Sequence, residues 1–163
     1  MSTSHKFYLS LGSNIEPEKN LAEALFRLQE HGVLQDMSSV WESPAVGARG
    51  PNFLNLCISY VVPLPGTALK SKVLLPIERA LGRARGRDRN APRTIDIDIL
   101  MMDGRPLNLK RWATSFVLIP MAELLPDFTD PAAGQSLSDL AKASQAAAWI
   151  VRRPEALNAI HPH

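Results

Sequence analysis

Pro92-Arg93-Thr94-Ile95-Asp96-Ile97-Asp98-Ile99-Leu100 is the stretch on which the reading of this chain turns. Its apolar and acidic residues alternate with period two, the mark of a β-strand with one face in a core and the other turned out. Ile95, Ile97 and Ile99 fall on one face, Asp96 and Asp98 on the other. At about 3.3 Å of rise per residue, the two carboxylates stand roughly 6–7 Å apart. With an effective dielectric of about 20, they repel by on the order of 2 kcal/mol. Such repulsion contributes nothing to folding, so the pair points to a cation. Oxygen ligands without nearby His or Cys favour Mg²⁺ over zinc. The plain alternative is a half-exposed strand that happens to carry Asp twice.

The residues before the strand bear on that choice. Arg83, Arg85, Arg87, Arg89 and Arg93 lead into it, with Asp88 the only acidic residue among them. Arginine offers a planar, permanently charged fork suited to phosphate. Mg²⁺ commonly meets a protein through one or two carboxylates and the phosphates of a nucleotide. An arginine segment that binds phosphate and runs into a metal-binding strand is one coherent site. Read only as a charge run, the segment would be a solvated loop or a nucleic-acid patch, which leaves the aspartates unexplained.

Composition sets the frame. A chain of 163 residues is long enough for a real core and is expected to form one domain over 1–163. A net charge of +2 is too small for a general polyanion binder, so the basicity that matters is local. The single cysteine, Cys57, excludes an intrachain disulfide and fits a reducing compartment. It reads as a small buried strand residue. No apolar run nears the roughly 20 residues of a membrane span, and no signal-peptide core opens the chain. The expectation is a cytoplasmic protein with no membrane partner.

Along the chain, Phe7 to Leu11 reads as a strand that ends at the turn cluster Gly12-Ser13-Asn14. Glu18 to Glu30 carries Leu21, Ala24, Leu25 and Leu28 at helical spacing. Val33 to Trp41 reads as a second strand closed by Ser43-Pro44, and Gly47 to Pro51 as a loop. From Asn52 to Val62 the pattern alternates. Leu54, Leu56, Ile58, Tyr60 and Val62 make an apolar face; Phe53, Asn55, Cys57 and Ser59 make a mixed one. Thr67 is the predicted N-cap of a helix to Leu81, in which Pro76 should kink the helix or mark a late start. Asp103-Gly104 signals a hairpin turn. From Pro120 to Val151 the chain reads as short helices between Pro-rich turns. The order β-α-β-β-α-β with a helical tail predicts a ferredoxin-like α+β sandwich with a C-terminal helical extension. That fold alone does not decide function.

These residues carry a resemblance. Tyr8-Leu9-Ser10-Leu11-Gly12-Ser13-Asn14, Ser43-Pro44, Phe53-Leu54-Asn55 and Pro92 to Asp98, in this order and spacing, resemble the 6-hydroxymethyl-7,8-dihydropterin pyrophosphokinases of folate biosynthesis. The resemblance runs from about Phe7 to Pro126. It implies transfer of a pyrophosphoryl group from ATP to a pterin hydroxymethyl, with release of AMP. It further implies that Asp96 and Asp98 hold two Mg²⁺ ions between the triphosphate and the attacking hydroxyl. Arg83 and Arg93 would act on the phosphates, and Glu78, Arg85, Arg89, Ile99 and Arg111 match nucleotide-side positions. Ser43, Pro44, Val46, Phe53, Asn55 and Phe116 match the pterin pocket, with Phe53 and Phe116 as stacking rings. Independently of the resemblance, Phe53 and Asn55 share a strand face. One can stack on a flat heterocycle while the other hydrogen-bonds its edge.

The chain also departs from the family pattern. Arg111-Trp112-Ala113-Thr114-Ser115-Phe116 is shorter than the family's connection over the triphosphate and has no His; Thr114 stands where the family has Arg. Asn90 replaces a frequent Trp, and Leu75 a common Gln. Looser ATP binding and slow turnover are the expected consequences. Two alternatives stay open: an enzyme acting on a different pterin, such as a methanopterin precursor, and a non-catalytic pterin- or nucleotide-binding paralogue. A nucleic-acid partner is not expected, because the inner strands lack the paired aromatic residues of ferredoxin-like RNA binders. Trp41, Trp112 and Trp149 read as packing residues, with the adenine side of the shortened loop as an alternative place for Trp112. His5 reads as part of a loose end.

Overall fold

The computed structural model describes residues 3–45, 50–82 and 94–160. Arg83, Arg85, Arg87, Arg89, Asn90, Arg93 and Val46 lie outside them. The central sheet is built from β1 (His5–Ser13), β4 (Phe53–Val62) and β5 (Asp96–Met102). Two shorter strands, β2 (Val33–Met37) and β3 (Trp41–Ser43), both pair with β4. The strand order is β6-β5-β1-β4-β3-β7, with β2 also on β4, and every pairing is antiparallel. Its middle is the strand order of the ferredoxin-like α+β fold expected from the sequence.

Period-two alternation builds one side of the sheet. Phe7, Leu9 and Leu11 of β1, Leu54 to Val62 of β4 at every second residue, and Ile97 and Ile99 of β5 all point to one core. Helix α1 (Pro17–Gln29) lays Leu21, Ala24, Leu25 and Leu28 on that face. The helical segment after β4 adds Leu69, Val73, Leu74 and Ile77. It is not one helix: α2 (Gly66–Leu69) passes into a π-helical turn, Lys70–Leu74, and restarts as α3 (Leu75–Ala80). The N–H of Leu75 reaches the carbonyl of Lys70, five residues back. This wider turn sits where the ring of Pro76 would otherwise meet the carbonyl of Lys72. Pro76 thus marks a late restart, as its position suggested. Thr67 is not the cap; Pro65 precedes the first turn, with no side-chain cap bond.

The second face of the sheet carries its own core. Trp41, Cys57, Leu100 and Met101 pack beneath α4 (Leu109–Trp112), α5 (Ser115–Leu124) and α6 (Leu137–Ala147). The helical region begins at Leu109, earlier than the sequence suggested, and Pro120 lies inside α5. Trp112 is 2% exposed and donates its indole N–H to the carbonyls of Leu100 and Leu107, so it is a packing residue and not an adenine platform. Trp149 is the opposite case: half its surface is open. His5 is no loose end either. It opens β1, and its Nδ1 lies 2.6 Å from Asp103 Oδ2, while Asp103 Oδ1 accepts the N–H of Lys6 at 2.8 Å. Asp103 and Gly104 both have positive φ, as a two-residue hairpin turn into β6 (Arg105–Pro106) requires. Among the described residues, no helix is long and apolar enough to cross a membrane.

Two departures matter for the site. The expected strand from Val33 to Trp41 is broken, because Ser38 pairs twice with Cys57. Its N–H donates to the Cys57 carbonyl, and its Oγ, standing in for a main-chain acceptor, receives the Cys57 N–H. The chain therefore gains a residue between β2 and β3. The C-terminal end also rejoins the fold: β7 (Val151–Arg152) pairs with β3, and α7 (Pro154–Ile160) adds Ala156 and Ile160 to the first core. Glu42 on β3 fastens this end, accepting from Arg153 Nε at 2.8 Å and from Asn52 Nδ2 at 2.8 Å.

The Asn52 hydrogen bond, followed by that of Arg153, holds the Glu42 carboxyl below its ordinary value. A carboxyl that ionises more readily in the folded chain contributes stability above the ordinary glutamate range, and loses it as pH falls through the folded value. Glu42→Ala is expected to lower stability at neutral pH by about 1 kcal/mol, the pair being partly exposed. Chemical denaturation of both proteins should show the gap closing as the solution is acidified below the carboxylate range. A gap independent of pH would exclude this contribution.

Candidate functional site

Strand register assembles the candidate site. In β5 and β1, Asp96 lies opposite Gly12 and Asp98 opposite Ser10; in β1 and β4, Gly12 lies opposite Asn55 and Ser10 opposite Cys57. Directly paired residues share a face, so Asp96, Gly12, Asn55 and Trp41 form one row across four strands. At about 4.8 Å between strands, the Asp96 and Asn55 main chains are roughly 10 Å apart. Asp98 and Phe53 stand on the same face, in the two rows that flank this one on opposite sides. Ile97 and Ile99 alternate with the aspartates into the first core.

Gly12 keeps the row open. The sequence made the glycine part of a turn ending the strand, whereas β1 continues through Gly12 and Ser13. A Cβ at Gly12 would lie 3.2 Å from Asn55 Oδ1 and 3.6 Å from a Phe53 ring carbon. A glycine within a strand is the one sequence signal that marks such a place, where something approaches the backbone closely.

The Asn55 carboxamide is held in one orientation. Its Nδ2 donates to the Trp41 carbonyl at 3.1 Å and to Ser43 Oγ at 2.8 Å. A main-chain carbonyl can only accept, so the amide nitrogen must face β3 and Oδ1 must face Gly12. Ser43 and Asn55 are both buried, whereas Phe53 is half-buried and Pro44, just beyond β3, is exposed. Phe116, in the first turn of α5, packs on the core of the same side of the sheet.

On the other flank, Arg111 of α4 places Nη2 3.3 Å from Asp98 Oδ2, with both side chains partly open to solvent. Glu78 and Ile99, matched to the nucleotide side, lie on the opposite face. Glu78 is 5% exposed on α3, and its Oε2 accepts the N–H of Ile97, the residue between the two aspartates, at 3.0 Å. The Ile99 side chain belongs to the first core, while its carbonyl accepts from Asn108. Asp96, Asp98, Phe53, Asn55 and Ser43 are thus brought together with Arg111, and Glu78 and Ile99 stand behind them. Val46, Arg83, Arg85, Arg89 and Arg93 lie outside the described residues. Cys57 is fully buried within the second core, where burial pushes its thiol pKa up, as expected for an inert strand residue.

Among the described residues, no group of three or more His, Cys, Asp or Glu side chains could enclose a metal ion. Two hard carboxylates on one open face suit a cation that takes its other ligands from water and phosphate, which is the habit of Mg²⁺. On this observation the residues fit the ion.

Comparison with known proteins shows the family. Residues 8–126 match the family model described as 7,8-dihydro-6-hydroxymethylpterin-pyrophosphokinase (HPPK). A 2-amino-4-hydroxy-6-hydroxymethyldihydropteridine pyrophosphokinase of Synechocystis sp. is 33% identical over 147 residues, covering 83% of this chain and 74% of the relative. The protein of the same name from Methylorubrum extorquens is 36% identical over 132 residues, 74% of this chain and 82% of its own length. Among solved structures, wild-type Plasmodium falciparum HPPK-DHPS with pteroate superposes over 88% of this chain with a TM-score of 0.64 at 11% identity. This chain spans 43% of that longer one, and the likeness speaks for the fold alone. By its family match and its relatives, the chain belongs to the 7,8-dihydro-6-hydroxymethylpterin-pyrophosphokinases.

Proposed function

We propose that the chain catalyses ATP-dependent transfer of a pyrophosphoryl group to the hydroxymethyl group of 6-hydroxymethyl-7,8-dihydropterin, releasing AMP, as a step of folate biosynthesis. The family and its named members support this activity, with ATP as co-substrate. The observation that carries it to particular residues is the row Asp96–Gly12–Asn55, with an anionic end, an open floor and an amide end.

The pterin would lie over Gly12 at the Asn55 end. Asn55 Oδ1 is the acceptor left on that side, so the ligand must offer it an N–H donor; Phe53, with Phe116 from α5, would stack on the ring. Ser43, Pro44 and Val46 would complete the pocket rim. The triphosphate would lie at the Asp96 and Asp98 end, with Arg111, Arg83, Arg85, Arg89 and Arg93 on its charged flank. Asp96 and Asp98 would hold Mg²⁺, two ions in this reading, which offset the triphosphate charge when bound. Glu78 and Ile99 would serve the nucleotide side from behind the strand, Glu78 through its hold on the Ile97 N–H.

In the reaction, the hydroxymethyl oxygen forms a bond to the β-phosphorus and loses its proton. The bond from that phosphorus to the α–β bridging oxygen breaks, and AMP leaves with the electron pair. The tasks left to the protein are alignment of the two substrates and stabilisation of charge on the phosphoryl oxygens. Incubation with ATP, Mg²⁺ and 6-hydroxymethyl-7,8-dihydropterin, followed by chromatography, should show AMP accumulating with the pterin diphosphate. Folded protein that forms no AMP with any hydroxymethyl pterin, yet binds pterin, would leave a binding paralogue.

Asp96→Asn and Asp98→Asn should each lower AMP formation at least about 100-fold, because each weakens a site that must offset phosphate charge. Near wild-type turnover in either variant would remove the metal assignment.

Asn55→Ala should weaken pterin binding by roughly 1–3 kcal/mol, the usual cost of an unpaired buried partner. Because its amide also anchors β3, the variant should melt earlier as well. Calorimetry below the melting range should find ATP affinity nearly unchanged; equal losses for both ligands would make Asn55 a fold residue only.

A further inference from the structure

We infer that Glu123, on α5 and outside every group assigned above, is a positioning residue for the pterin end of the site. The inference rests on the pterin reading of Asn55 and Ser43. Glu123 Oε1 accepts the indole N–H of Trp41 at 2.7 Å and the main-chain N–H of Ser39 at 3.1 Å; Oε2 accepts from Ser39 Oγ at 2.7 Å. One carboxylate therefore fastens both the break between β2 and β3 and the first residue of β3.

What Glu123 fastens is what orients Asn55. The Trp41 carbonyl is one of the two acceptors for Asn55 Nδ2, and Ser43, two residues along the same short strand, supplies the other. Strand β3 has only three residues, so its place depends heavily on side-chain anchors. Ser38 ties the break to β4 through Cys57, Glu123 ties it to α5, and Glu42 ties the opposite face to Arg153. Of these, the Glu123 contact alone ends on the residue whose carbonyl holds the Asn55 amide. If β3 shifts, Oδ1 no longer meets the edge of the ligand. Helix α5 also carries Phe116 in its first turn, so a single helix bears the candidate stacking ring at one end and the anchor of the hydrogen-bonding wall at the other.

The test compares Glu123→Ala, Glu123→Gln, Trp41→Phe and the Ala/Phe double variant, assayed below their melting temperatures. Glu123→Ala and Trp41→Phe should each raise the KM for the pterin roughly five- to tenfold, with kcat and the KM for ATP within about twofold. The double variant should be no worse than the poorer single one, because both cut the same link. Glu123→Gln keeps an acceptor for the indole and should restore the pterin KM to within about twofold of wild type. A pterin KM unmoved in Glu123→Ala, or pterin and ATP constants that rise together, overturns the inference. The Asn55 side-chain NH₂ signals in NMR of the ligand-free protein give a readout that needs no turnover. They should shift and exchange faster in Glu123→Ala than in wild type, and unchanged signals overturn the inference whatever the enzyme does. If wild type makes no AMP while those signals do shift, the pterin reading fails and the link from Glu123 to Asn55 stands.

Discussion

The antiparallel register of β5 on β1 on β4 is the constraint on which everything else depends. It pairs Asp96 with Gly12 and Gly12 with Asn55, and so sets both ends of the candidate site across one strand. Side chains alternate with period two, so a one-residue slip of β5 would turn both aspartates into the first core and expose Ile97 and Ile99. Each isoleucine would forfeit about 1.5–3 kcal/mol of burial, and the carboxylates would be costlier still to bury. Fold and site are therefore protected by the same energy. The aspartates need no separate device to stay together on one face.

Around that row the protein spends its polar groups on holding strand ends. From the core side, the buried Glu78 takes the N–H of Ile97, between the two aspartates; from the open side, Arg111 meets Asp98. At the other end, Asn55 gives both amide hydrogens to β3 and keeps only its oxygen for the site. A side chain fixed by an obligatory acceptor costs little further entropy when a ligand arrives. The second core contributes by what it covers. Helices α5 and α6 seal the part of the sheet face near Cys57 and Met101, while Gly12, Phe53, Asp96 and Asp98 remain half-buried.

The ferredoxin-like core, the apolar face of β4, the hairpin at Asp103-Gly104 and the late restart at Pro76 were all legible, because each follows from a local rule of spacing, turn chemistry or ring sterics. The strands β2 and β3 were not separable, because Ser38 breaks them by bonding to a residue on another strand. Thr67 looked like a cap only because serine and threonine so often are; the helix starts one residue before it, at Gly66. The partners of Arg153, His5 and Trp112 carried no local signal at all.

By itself, the sequence determined that a strand would carry two aspartates outward over buried isoleucines, that Phe53 and Asn55 would share a face, and that the motifs belong to the pyrophosphokinase family. These are statements about neighbours within a few residues, where backbone geometry alone settles direction. Tertiary structure decided that Gly12 is the floor between the two ends, that Asn55 presents oxygen and not nitrogen, and that Glu78 stands behind the strand. It also decided that Glu123, 82 residues from Trp41 along the chain, grips its indole. Such contacts depend on which faces meet when two cores close over one sheet, and no periodicity within a single strand or helix encodes that meeting.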